Sequence, residues 1–288
     1  MKPPTILVLG AHGMLGHTIY RYLYSRYPQS TWGTVKRNDG ELMLFEFNAH
    51  SLKTLEGISK NIGKVDYIIN CIGILQNNED KKEMKYINAQ FPQKLALSLN
   101  SNNAKLIHVS TDAVFAPNES NLTEESKPSP ADYYGTTKLQ GEPLSTSAIS
   151  IRTSLIGFDP YGHKGLLEWA LQPSKFPLNG YSNQLWSGCT TLQFATLCEQ
   201  IITNNFFQKM RLASPVFHFA PFIEISKHDI IATILTLMKN KNTVTKKLAE
   251  PISRSLKTKY PHLLFLNHME NTLKSALQNL ISFEKLVK

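Results

Sequence analysis

In "YYGTTK", residues 133–138, a phenol and an ammonium stand four residues apart, at Tyr134 and Lys138. On a helix that spacing puts both on one face, one turn apart, whereas Tyr133 precedes the lysine by five residues. A ketone that takes a hydride develops negative charge on its oxygen and needs a proton from a positioned acid. A phenol at its ordinary pKa of about 10 is a poor donor near neutrality. A lysine about 6 Å along the helix axis is expected to favour the phenolate and lower that pKa. Thr111, 23 residues before Tyr134 in "HVSTDAVF", is expected to donate a hydrogen bond to the same oxygen. Asp112 beside it has two readings, a partner for substrate hydroxyls or the stabiliser of an Asx turn.

A second constellation lies at the other end of the chain. "GAHGMLG" places Gly10, Gly13 and Gly16, with His12, Met14 and Leu15 between them, after an apolar run at 5–10. Here a tight turn lets backbone N–H groups and the positive end of a helix approach a pyrophosphate, where a Cβ would intrude. The G-x-x-G-x-x-G spacing departs from the commoner G-x-G-x-x-G fingerprint. After the second strand, "TVKRNDG" offers Lys36 and Arg37 before Asp39. A basic residue there suits a 2′-phosphate and an acidic one a free ribose hydroxyl. The cofactor expected is NADP(H), with NAD(H) the alternative.

The elements that must carry these residues alternate in the manner of a parallel sheet covered by helices. Strands are expected at 5–10, 31–35, 42–47, 66–74, 104–110 and 147–157. Helices are expected at 13–27, with Leu15, Ile19 and Leu23 on one face, and at 88–101. Past residue 157 the rhythm loosens into Gly/Pro/Ser/Asn-rich loops. A helix at 191–204, a strand at 215–220, a Ser-capped helix at 226–239 and an amphipathic C-terminal helix follow. The fold class is thus α/β, a doubly wound parallel sheet of Rossmann type with a smaller C-terminal α/β lobe. The expected division is a dinucleotide-binding domain at 1–157 and a substrate lobe at 158–288, interleaved with the first in one version.

Composition narrows the function classes. With 42% hydrophobic and 18% charged residues, the 288-residue chain is that of a globular protein. It contains no apolar run long enough to span a membrane, and its start lacks the pattern of a secretory signal. Cys71, Cys189 and Cys198 have neither metal-ligand spacing nor the number for a disulfide framework. A reducing, cytoplasmic setting is expected, with no metal site. Of the net charge of +9, seven units fall at 239–288, where ten Lys/Arg meet three Glu. They lack the aromatic interleaving of a single-strand groove and read as a solvated surface, with no nucleic-acid or membrane partner.

Taken together and in order, the glycine loop, "NCIG", "STDAVF", "YYGTTKLQGE" and "IRTSLIG" make the chain resemble the extended short-chain dehydrogenase/reductases. More narrowly, it is similar to the dTDP-4-dehydrorhamnose reductase family, well over 5–160 and loosely beyond. The resemblance implies Thr111, Tyr134 and Lys138 as the catalytic set, with Lys138 also holding the nicotinamide ribose. It places Cys71, Ile72 and Gly73 near the nicotinamide end, with no nucleophilic role for the cysteine. Asn88 matches an asparagine that holds a water behind the lysine, or else caps a helix. Asn48 stands where the family has an aspartate near the adenine. Asp112 and Trp186 are the candidates for substrate contact. His163, Lys164 and Trp169 lie with Trp186 in segments expected to cover the sugar and diphosphate, although packing in an apolar helix is the expectation for Trp169. The implied activity is NADPH-dependent reduction of the C4 ketone of an NDP-4-keto-6-deoxyhexose, serving deoxysugar and surface-polysaccharide synthesis. A nucleotide-sugar epimerase retaining NAD, and a non-catalytic NADP-binding regulatory subunit, are the alternatives; a homodimer is compatible with either.

Overall fold

The computed structural model describes residues 3–38, 40–41, 43–75, 80–100 and 103–287. Asp39, weighed above against Lys36 and Arg37, and Leu42, at the start of an expected strand, lie outside the described residues. The first half of the chain runs β1 (Ile6–Leu9), α1 (Met14–Arg26), β2 (Thr31–Val35), β3 (Leu44–Glu46), α2 (Lys53–Ile62) and β4 (Tyr67–Asn70). It continues through α3 (Lys81–Lys85), a π-helical turn (Tyr86–Gln90), α4 (Phe91–Leu99), β5 (Lys105–Thr111), α5 (Tyr133–Gln140) and β6 (Ala148–Thr153). The second half holds β7 (Leu155–Ile156), α6 (Leu166–Leu171), β8 (Leu178–Tyr181), β9 (Gln184–Trp186) and β10 (Cys189–Thr190). After these come α7 (Thr191–Thr203), α8 (Phe207–Ala213), β11 (Val216–His218), β12 (Ile225–Ser226) and α9 (Lys227–Leu237). β13 (Val244–Lys247), β14 (Ile252–Ser253) and α10 (Leu273–Leu286) complete the set.

The main sheet has seven parallel strands in the order β11-β6-β5-β4-β1-β2-β3. Alternation along β1 explains why it is buried on both faces. Ile6 and Val8 join one core with α1, α7 and α8, through Leu23, Phe194, Ile201 and Phe207. Leu7 and Leu9 join the other, with Leu55 and Ile58 of α2 and Phe91 and Leu95 of α4. Such strands read as continuous apolar runs because helices cover both sides. Strand order reverses between β1 and β4, so the crevice beyond their carboxyl ends is the place where such sheets receive ligands. The glycine loop leaves β1 there, and the "CIGI" segment leaves β4.

The second half does not stand apart from the first. β11 extends the main sheet beside β6, and α7 packs its Phe194, Leu197 and Ile201 onto the core shared with α1. Glu199 of α7 accepts hydrogen bonds from Tyr22 at 2.7 Å and Tyr27 at 2.9 Å, tying α7 to α1. The rest forms a lobe with its own core, where Leu167 and Ala170 of α6 meet Ile230 and Ile234 of α9 and Leu277 and Leu280 of α10. Helix α2 was missed by the sequence reading, although its inward Leu55 and Ile58 are three apart. The long strand expected at 147–157 divides at Ser154, and β7 pairs with β10 instead of the main sheet.

Between β6 and the end of α5 lies a buried ion pair. Arg152 on β6 grips Glu142, just past α5, with Nε–Oε1 at 2.8 Å and Nη2–Oε2 at 2.7 Å. Ser110 of β5 donates to the same carboxylate at 2.6 Å. Removing one partner of a buried pair strands the other charge, at a cost of about 3–5 kcal/mol. Glu142→Ala should lose about that much in urea unfolding, while Leu144→Ser, at a side chain 73% exposed, should change stability by less than about 0.5 kcal/mol. Equal small losses in both variants would show that the pair carries no structural weight.

Candidate active site

The glycine cradle forms where β1 turns into α1. Gly10 adopts φ +84°, a left-handed conformation that costs a glycine little. Its N–H donates to Thr34 O at 3.1 Å, and Ala11 N does so at 2.7 Å, which pins the turn to β2. A Cβ on Gly16 would lie 2.1 Å from Gly10 O, so the first turn of α1 can close on the loop only with glycine there. Gly13 caps α1 without a side-chain hydrogen bond, and no acidic residue occupies the first turn. The positive helix end and the missing Cβ atoms together fit a pyrophosphate.

Thr111 ends β5 and Tyr134 stands in the first turn of α5. Asp132 caps that helix by accepting from Gly135 N at 2.7 Å. The close seating of α5 on the β5 end requires Gly135, where a Cβ would lie 2.1 Å from Ala113 O. Burial pushes the half-buried Tyr134 phenol up to about 12, and the nearby Asp112 and Asp132 carboxylates raise it further, while a hydrogen-bonding contact with Thr111 opposes them. Thr111 is itself engaged, donating to Asp112 Oδ1 at 3.1 Å and accepting from Ala113 N at 3.2 Å. Asp112 is thus a hydrogen-bond partner of Thr111 in a short turn.

Lys138 shares α5 with Tyr134, and its Nζ donates to Val109 O at 2.6 Å. Its long stem carries the ammonium across to β5, so spacing along the helix did not decide where the charge sits. Burial lowers its pKa to about 8, with Glu142 and Cys71 opposing the shift. Burial also raises the Cys71 thiol to about 12, leaving it protonated and a weak nucleophile.

Of the two readings of Asn88, the helix cap is not what forms, since Lys85 and Gln90 occupy the cap positions on either side. Asn88 lies inside the π-helical turn, a local irregularity frequent at functional sites. Its amide clamps Ile74, accepting from Ile74 N and donating to Ile74 O, both at 2.8 Å, and reaches Thr137 of α5 at 3.4 Å. The segment holding Cys71, Ile72 and Gly73 is thereby fixed between β4 and α5. Ile72 and Cys71 face Gly10, where a Cβ would lie 3.2 Å from Ile72 Cγ1. Asn70 secures the start of this segment by accepting from Ile72 N at 3.1 Å.

Other named residues sit farther out. Lys36 and Arg37 are exposed after β2. Asn48 is exposed, and its Oδ1 accepts from His50 N at 2.9 Å; that oxygen is the acceptor an adenine amino group would need. Trp186 donates to Ser154 Oγ at 2.9 Å and packs on Phe222. The segment with His163 and Lys164 lies against the glycine loop: Tyr161 stacks on His12 at 3.9 Å, and His12 meets Glu41 at 3.2 Å. Met14 and Leu15 open α1 beneath it. Trp169 is 43% exposed, contrary to the packing expected of it, because α6 buries Leu167 and Ala170 instead. Sequence reasoning missed Glu142, although it stands inside the quoted "KLQGE", and the cover formed by Tyr161 and Glu41. Among the described residues no group of His, Cys, Asp and Glu is arranged to hold a metal, and no helix is long and apolar enough to cross a membrane.

Two tests follow from this geometry. Gly16→Ala forces a methyl against Gly10 O, and dinucleotide affinity by fluorescence titration should fall at least about tenfold; unchanged affinity would remove the cradle. The second concerns Lys138, whose pKa of about 8 lies below its ordinary 10.5. Between those values the folded chain binds fewer protons than the unfolded chain, so stability rises with pH across that window. Lys138→Met removes this titration, and the variant should melt above wild type at pH 7. Its advantage should shrink from pH 8 to 10.5, and a constant difference would refute the depressed pKa.

Residues 4–262 match the family described as RmlD substrate binding domain. A dTDP-4-dehydrorhamnose reductase from Clostridium acetobutylicum superposes with a TM-score of 0.72 at 22% identity, over 98% of this chain and 99% of that one. A second, from Bacillus anthracis in complex with NADP, gives 0.74 at 17% identity over 98% and 99%. At these identities the likeness is one of fold, the seven-stranded Rossmann-type sheet described above. Methionine adenosyltransferase 2 subunit beta of Mus musculus is 29% identical over 144 residues, 48% of this chain and 41% of that protein. The matched stretch is thus less than half of the mouse protein. With residues 4–262 covered by one family pattern, the chain belongs to the RmlD substrate binding domain family.

Proposed function

We propose that this protein is an NADPH-dependent reductase of the C4 ketone of an NDP-4-keto-6-deoxyhexose. The observation that carries the reading is that Thr111 ends β5 and Tyr134 opens α5, the helix that Gly135 lets sit closely on that end, in a sheet whose glycine cradle opens at β1, two strands away. Gly10, Gly13 and Gly16, with the backbone of His12, Met14 and Leu15, would hold the cofactor's pyrophosphate. Lys36 and Arg37 suit a 2′-phosphate, and Cys71, Ile72, Gly73 and Asn88 would border the nicotinamide side. When bound, the nicotinamide supplies hydride to C4.

This chain's own residues handle the proton. Tyr134, held protonated by its surroundings, donates it to the developing alkoxide. Thr111 turns its hydroxyl from Asp112 to the same oxygen. Lys138 contributes positive charge behind them from its place on Val109 O. The NADP complex of the Bacillus anthracis relative supports the choice of cofactor, and the Clostridium acetobutylicum relative supports the substrate class. The match to methionine adenosyltransferase 2 subunit beta favours a second reading, a dinucleotide-binding subunit without turnover of its own.

The two readings separate in one assay. With dTDP- and UDP-4-keto-6-deoxyhexoses, NADPH oxidation followed at 340 nm should appear in wild type. It should fall about 10²–10⁴-fold in Tyr134→Phe, with NADPH affinity retained. Full activity in that variant would exclude Tyr134 as the acid. NADPH binding with no oxidation across the panel would favour the subunit reading.

A further inference from the structure

A loop from the second half of the chain sits on the glycine turn. Residues 161–165 are exposed along their whole length, yet they touch the turn at both ends. At one end the Tyr161 ring stacks on His12 at 3.9 Å, 15° from parallel, and meets His17 edge-on at 5.9 Å. At the other end Gly165 lies against Met14, where a Cβ would be 3.6 Å from Sδ. His12 and Met14 flank Gly13, the residue that caps α1. The loop therefore spans the turn whose backbone is assigned to the cofactor's pyrophosphate.

Within itself the loop is tied together from below. Buried Asp159 accepts from Gly162 N at 3.0 Å and from Lys164 N at 3.2 Å through its carboxylate, and from His163 N at 2.9 Å through its carbonyl. A Cβ on Gly162 would lie 2.4 Å from Asp159 Oδ2, so the turn closes this tightly only with glycine. Toward the cradle the fastening is slighter. It consists of the Tyr161–His12 stack, the His12–Glu41 contact at 3.2 Å behind it, and the Tyr161 hydroxyl donating to the same carboxylate at 3.5 Å. One exposed aromatic stack is a small part of what holds an element in place, so the loop can lift from the turn as a unit. Gly165, at φ +97°, is the pivot where it rejoins α6. Between the two contacts stands Lys164, exposed, its ammonium without a hydrogen bond or ion pair among the described residues.

We propose that residues 159–165 form the outer wall of the dinucleotide site, a latch that Tyr161 fastens on His12 and that lays Lys164 against the cofactor's pyrophosphate. The anion then lies between the positive end of α1 on one side and an ammonium on the other. His163 and Lys164 were expected over the substrate's sugar and diphosphate; resting on the glycine turn, their loop serves the cofactor instead. The latch must lift for a dinucleotide to enter or leave, so it slows exchange in both directions. The proposal rests on the dinucleotide cradle and is independent of which sugar, if any, is reduced.

The probe is NADPH, mixed with the full chain in a stopped-flow instrument and followed by its fluorescence; displacement by excess oxidised cofactor gives the dissociation rate. Tyr161→Ala should speed association and dissociation together, each at least about tenfold, while Kd moves by less than about threefold. Tyr161→Phe keeps the ring stack and should stay within about threefold of the wild-type rates. Glu41→Gln, which weakens the seat behind His12, should shift both rates in the same direction by less. Lys164→Gln should raise dissociation alone, by about fivefold. Unaltered exchange in Tyr161→Ala, or faster dissociation with unaltered association, overturns the latch. Unaltered dissociation in Lys164→Gln overturns the contact with the pyrophosphate. No sugar enters the measurement, so neither result bears on the reductase reading, which the 4-keto sugar panel decides separately.

Discussion

The bidentate contact between Glu142 and Arg152 joins the end of α5 to β6, with both side chains inside the protein at 7% and 4% exposure. Its effect reaches the site through three consecutive residues of β5. Val109 O holds Lys138, Ser110 Oγ holds Glu142, and Thr111 meets Asp112 and Tyr134. A shift of α5 along β5 would disturb all three contacts together. Buried ion pairs contribute little net stability against apolar replacements; this one sets the register of a helix on a strand. His218 of β11 closes the pair from the far side, with Arg152 Nη1 at 3.3 Å, and Phe115 lies under the guanidinium at 5.2 Å.

Electrostatics at the site follow from burial more than from the neighbouring ammonium. The phenol rises to about 12 and the lysine falls to about 8, both because the charged form is poorly solvated. Burial therefore favours the protonated Tyr134 phenol and the neutral Lys138 amine. Asn88 and Gly135 contribute by allowing close approach, the first by clamping Ile74 and the second by admitting Ala113 O to the helix face. The site is organised by backbone contacts as much as by the reactive side chains.

The architecture was legible wherever a local rule applies. The unbroken apolar run "ILVL" indicates a strand buried on both faces, and β1 is one. The Ser-x-x-Asp cap places the start of α9, where Ser226 accepts from Asp229 N. The glycine spacing located the turn before α1. What escaped lacks a local signature. β11 reads as a strand by sequence, but nothing in "PVFHFA" says that it will pair with β6 instead of a lobe strand. Tyr161 stacks on His12 across a separation that periodicity does not register.

By itself the sequence determined which residues share a helix face, where the backbone needs glycine and which runs must be buried, because these depend on neighbours a few positions away. Tyr134 and Lys138 on one helix belong to that class. Tertiary structure alone decided that the ammonium of Lys138 rests on Val109 O, that Asn88 clamps Ile74 instead of capping a helix, and that Trp169 faces solvent. The physical reason is common to all three. A side chain's charge, exposure and hydrogen-bond partner are set by whatever element packs beside it, and that element comes from another part of the chain.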